Sequence, residues 1–127
     1  GNMQIAYNYI KQNGGINTVG MYPYRGRGNY QCKYESRQSV ISVQDFVEVE
    51  SGNETTLMLA LAHAGPIAVA IDSSLSTFQN YKSGIYDDKA CTKDPNHAVL
   101  LVGYGIDDEL GKYWLLKNSW VSVNFSV

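Results

Sequence analysis

An α+β fold follows from three features of this 127-residue sequence. Two stretches of its first half carry apolar residues at helical spacing. From residue 67 onward, short alternating or continuous apolar runs take over, and turn-forming residues separate them. Helices that precede turn-linked strands, instead of alternating with them, define the α+β pattern.

The elements follow in order. Met3, Ala6, Tyr7 and Ile10 share a helical face, and Gly14-Gly15 supply a C-terminal stop, so a helix covers residues 2–13. Residues 20–38, GMYPYRGRGNYQCKYESRQ, are rich in glycine and tyrosine and read as an ordered loop. Val40, Val43, Phe46, Val47 and Val49 predict short strand segments. Asn53 is placed to cap a second helix with Leu57, Ala60, Leu61 and Ala64 on one face, and Gly65-Pro66 ends it. Ile67, Val69 and Ile71 alternate in PIAVAID, the mark of a half-buried strand. A loop holding Tyr81, Tyr86 and Cys91 leads to PNHAVLLVGYG, a strand opened by His97. The acidic turn IDDELGK then precedes YWLLKNSW, with a strand from Tyr113 to Asn118.

Composition narrows the function. Hydrophobic residues make up 44% and charged residues 17%, a globular balance. A net charge of −2 leaves no basic footprint for nucleic acid or an anionic membrane. No apolar run approaches the ~20 residues that span a bilayer. The two cysteines, Cys32 and Cys91, are too few for a disulfide framework and have no companion cluster for zinc. The sequons Asn53-Glu-Thr55 and Asn124-Phe-Ser126 lean towards a secretory compartment.

Chemistry concentrates in the last two runs. His97 opens one strand and Asn118 closes the next, so antiparallel pairing across the Asp107–Gly111 turn brings them together at one rim of a sheet. A histidine there is a general base near neutral pH, and a neutral amide can accept its ring N–H and fix its tautomer. The natural third member is a cysteine, because a thiolate–imidazolium pair needs only a neutral orienting group. The same spacing also accommodates a structural histidine and a turn asparagine, and spacing alone does not choose between them. His63 falls within a helical pattern, and the pairs Asp87-Asp88 and Asp107-Asp108 fall in turns where solvated charges are usual.

NHAVLLVGYG and YWLLKNSW resemble the histidine and asparagine blocks of papain-like cysteine peptidases. AYNYIKQNGGINTVGMYPY, GPIAVAID and FQNYKSGIY are similar to segments of the cathepsin L-like branch, and the similarity runs from residue 1 to Trp120. The resemblance implies part of a papain-like fold. Residues 1–38 would be a remnant of the helical left domain, 39–120 an incomplete β-barrel-like right domain, and 121–127 a tail outside the family pattern. It further implies peptide-bond hydrolysis through a Cys-His-Asn site. His97 would pair with the thiol, Asn118 would orient the imidazole, and Trp120 would shield their hydrogen bond. Gly1 matches a residue whose backbone pairs with extended substrate. Met3, Ala70 and Asn96 match the pocket for the second residue before the scissile bond.

In this family the nucleophilic cysteine lies in a segment upstream of Gly1, so the chain by itself is expected to be inactive. Cys32 and Cys91 resemble structural cysteines whose partners fall outside the sequence, and are expected as free thiols. The expected partners are polypeptide substrates, protein inhibitors or a propeptide, with no cofactor or metal, in a lysosomal or extracellular setting. The alternative is a non-catalytic peptide-binding or interaction module on the same fold.

Overall fold

Asn2 is extended, and its side-chain oxygen accepts the Ile5 N–H at 3.0 Å, which starts helix α1 (Met3–Asn13). Gly14 ends the helix at φ 76°, a left-handed conformation glycine adopts without steric cost. The structure, a computed structural model, describes residues 1–28, 31–120 and 124–127. Contacts divide the chain into two compact units, Gly1–Glu48 and Val49–Val127.

In the first unit, Tyr7 of α1 packs its ring 5.6 Å from that of Phe46. Lys11 forms an ion pair with Asp45 at 3.4 Å, exposed and therefore weak. Tyr34 donates to the Asn13 carbonyl at 2.9 Å. None of the α1 residues is fully buried. The strand segments expected between Val40 and Val49 do not form; a single antiparallel bridge joins Ile16 and Ile41. Ile41, Val43, Val47 and Val49 do alternate, but among the described residues only Ile16 pairs with this stretch, so the pattern has no neighbouring strand to build on. Phe46 packs on the helix instead.

In the second unit, Asn53 caps helix α2 (Glu54–Ala64) through the Thr56 N–H at 3.0 Å, and Gly65 ends it. Strands β1 (Ile67–Ile71), β2 (His97–Asp107), β3 (Gly111–Lys117) and β4 (Asn124–Ser126) form one antiparallel sheet in that order. A single helical turn, α3 (Ser76–Gln79), lies between β1 and β2. Leu61, Phe78, Val99, Leu101 and Leu116 make the buried core, flanked by Ile67, Val69, Ile71 and Trp114. Leu101 pairs with Ile67 on one side and Leu116 on the other, which locks the register of three strands. Residues 121–123 of the expected tail lie outside the described residues, while Asn124–Ser126 pair with β3. Among the described residues no helix is long and apolar enough to cross a membrane.

Candidate functional site

Side chains alternate across a strand, so register decides which residues share a face. Val99 and Leu101 face the core, and His97 lies in phase with them, opposite Ile71. A regular hairpin closing at Asp107–Gly111 would set Asn118 across from Leu100, on the other face. A bulge between Leu101 and Gly103 adds one residue to β2, giving the pair Leu100–Lys117. Asn118 then follows in line with Val99 and shares a face with His97. The bulge therefore decides whether these two residues can meet.

They do meet. His97 Nε2 lies 2.9 Å from Asn118 Oδ1, and both residues are half-buried. The same Oδ1 accepts the backbone N–H of Ser119 at 2.8 Å and that of Trp120 at 3.4 Å. A backbone N–H can only donate, so the Asn118 atom facing the ring is an acceptor. His97 must then carry its hydrogen on Nε2, leaving Nδ1 as the basic nitrogen of the neutral ring. Trp120 stacks on the imidazole, with ring centroids 4.6 Å apart at 27°, and Phe78 meets the indole edge-on at 5.7 Å.

The other expected residues of the second unit sit close by. Ala70 is exposed, pairs with Ala98 across β1 and β2, and lies on the face opposite Val69. The Asn96 backbone donates to the Ile71 carbonyl at 3.0 Å. Its side-chain oxygen accepts the Ser73 amide at 3.0 Å and hydroxyl at 2.8 Å. Its side-chain NH2 donates to Asp72 at 3.0 Å.

Residues 1–124 match the family model described as papain family cysteine protease. The chain belongs to the papain family of cysteine proteases. It is 48% identical over 124 residues to Testin-2 of Rattus norvegicus, covering 94% of this chain and 37% of that protein. It is also 48% identical over 119 residues to procathepsin L of Felis catus, covering 91% of this chain and 35% of that one. The solved structure of digestive procathepsin L2 proteinase from Tenebrio molitor larval midgut superposes with a TM-score of 0.90. That match is 36% identical and covers 99% of this chain and 41% of the other. The chain thus spans a little over a third of the curated relatives it matches. The papain-like fold expected from the sequence and the cathepsin L-like branch are both supported.

Within this papain-family chain, Gly1 is exposed ahead of α1 and Met3 is its first, half-buried residue. Both belong to the first unit. Cys32 and Cys91 are free and exposed. The Tyr34 backbone N–H, and after it the Tyr9 hydroxyl, lower the pKa of the Cys32 thiol. Among the described residues no group of histidine, cysteine, aspartate and glutamate could hold a metal ion.

Sequence reasoning passed over Asp72, a buried carboxylate just after β1 that accepts hydrogen bonds from Ser74, Thr92 and Asn96. Its signal was present in AIDSS, where an aspartate after an apolar strand and before two serines marks a side-chain-to-backbone turn. Ala98, the exposed partner of Ala70, was also missed, because only register reveals that pairing.

Proposed function

We propose that this chain supplies the histidine–asparagine half of a Cys-His-Asn site in a cathepsin L-type cysteine endopeptidase. The thiol would come from a segment outside this sequence. The observation that carries the reading is the hydrogen bond between His97 Nε2 and an Asn118 oxygen held in place by two backbone N–H groups. That bond makes Nδ1 the nitrogen that takes the thiol proton. The resulting thiolate attacks a peptide carbonyl carbon, forming a C–S bond and a tetrahedral oxyanion. As the C–N bond breaks, Nδ1–H passes its proton to the leaving amine. Water, activated by the same nitrogen, then releases the acyl group and restores the thiol.

Trp120 keeps water off the hydrogen bond by lying over the imidazole. Gly1 pairs with the substrate backbone and Met3 contacts the substrate from the first unit; Ala70 and Asn96 contact its second residue from the second. The left-domain remnant at residues 1–38 and the right-domain portion at 39–120 meet the segments that complete each lobe. Polypeptides are the substrates, a propeptide or protein inhibitor competes with them, and the setting is lysosomal or extracellular. The 127 residues alone cleave nothing, because the thiol is elsewhere.

The test joins the chain to its upstream coding sequence and measures turnover of a fluorogenic dipeptide amide. Thiol-dependent turnover that His97→Ala abolishes supports the reading. An upstream segment without a cysteine nucleophile, or turnover that survives His97→Ala, refutes it. Tight peptide binding without cleavage would favour the interaction module.

A further inference from the structure

Asp72 follows Ile71, the register partner of His97, and is only 6% exposed. Oδ1 accepts the Ser74 amide at 2.9 Å and the Asn96 side-chain amide at 3.0 Å; Oδ2 accepts the Thr92 amide at 3.0 Å and hydroxyl at 2.8 Å. A carboxylate taken out of water is tolerated when its lone pairs are filled, and here they are. Hydrogen bonds from Ser74, first its hydroxyl and then its amide, followed by those of Thr92, hold the carboxyl far below the ordinary range.

The donors lie on two segments, the turn leaving β1 and the loop entering β2. Asn96 completes the tie, because its own oxygen takes the Ser73 amide and hydroxyl while its backbone reaches Ile71. The residue preceding His97 is thus held at three atoms. The two halves of the catalytic pair are anchored differently. Asn118 is fixed by its own neighbours, Ser119 and Trp120. His97 has Trp120 against its ring, and its main chain enters β2 from the loop that Asp72 holds.

We propose that Asp72 is a positioning residue for His97: by tying Thr92 and Asn96 to the end of β1, it sets where the histidine enters the sheet and how its ring meets Asn118. Resting on the assignment of His97 and Asn118 above, it adds a buried anion that acts through Asn96 and touches no reacting atom.

The test follows the His97 ring nitrogens and the exchange of the Nε2 proton by NMR in 15N-labelled protein. The variants are Asp72→Asn, Thr92→Val and Thr92→Ser. The expected result for Asp72→Asn is Nε2–H exchange at least about tenfold faster and a mixed tautomer signal, with amide protection at Leu101 and Leu116 unchanged. Thr92→Val should move the same signal less, and Thr92→Ser, which keeps both donors, should restore the parent spectrum. Unchanged exchange in Asp72→Asn overturns the proposal. If that variant does not fold, Thr92→Val decides, and parent-like exchange there overturns it. Failure of the catalytic reading would look different: no turnover by the completed enzyme while the variants still shift the His97 signal.

Discussion

Replacing Asn118 by alanine tests the orienting hydrogen bond directly. The lost contact is 2.9 Å long and half-buried under an indole. In the proposed mechanism its donor becomes an imidazolium once the thiol ionises, and hydrogen bonds to charged groups contribute about 1.5–3 kcal/mol. At about 1.4 kcal/mol per factor of ten, kcat of the completed enzyme should fall roughly 10- to 150-fold. Stability should change by less than ~1 kcal/mol, because Ser119 and Trp120, whose amides lose the same acceptor, are exposed enough to bind water instead. KM should stay near the parent value, because the amide faces the imidazole and not the substrate. The assay is steady-state hydrolysis of a fluorogenic peptide, normalised to titratable thiol. A kcat within about twofold of the parent, in a folded variant, would refute an orienting role for Asn118.

Leu101→Ala should cost about 3–5 kcal/mol by urea unfolding, since the side chain is 1% exposed at the centre of the sheet; a loss under ~1 kcal/mol would show that the core collapses around it. Asp72 should contribute to acid stability. Its folded-state pKa lies below the ordinary value near ~3.9, so its contribution is complete above that pH and is lost as pH falls below it. Asp45, Asp88 and Asp107 shift the same way, so the urea midpoint from pH 6 to 3 must fall less steeply in Asp72→Asn than in the parent; equal slopes would assign the loss to the others. Passage through a secretory pathway should leave a glycan on Asn53, whose Oδ1 can keep capping α2 while its nitrogen is modified. N-glycosidase release with conversion of Asn53 to aspartate checks this, and an unmodified Asn53 would remove the sequon's support for a lysosomal or extracellular setting.

Both long helices were legible because their caps are local. Asn2 and Asn53 each accept an N–H three residues on, and Gly14 and Gly65 each stop a periodic run. The His97–Asn118 pairing was legible as a rim contact, since a hairpin about the acidic turn brings strand ends together whatever its details. The shared face was not. It depends on the extra residue near Val102, and Gly103, the one hint in VLLVGYG, is equally compatible with a close backbone approach in a regular strand. Residues 40–49 misled because an alternating, valine-rich stretch forms a strand only where a partner strand exists, and here pairing stops at the Ile16–Ile41 bridge. Asp72 was overlooked because its donors at Thr92 and Asn96 lie 20 and 24 residues away, a separation only the folded chain closes.

The irregularity in β2 has a bearing on which insertions and deletions this gene could survive. Lengthening the Asp107–Gly111 connection by a codon or two alters a solvent-washed tip and leaves the reactive end untouched. Losing the single codon for Val102 would remove the extra residue and straighten the ladder, yet leave Leu101 opposite Leu116 and the carboxamide on the side of the imidazole. The reading frame can therefore shed that one position, whereas dropping a residue between His97 and Leu101 would shift the imidazole out of phase with Asn118.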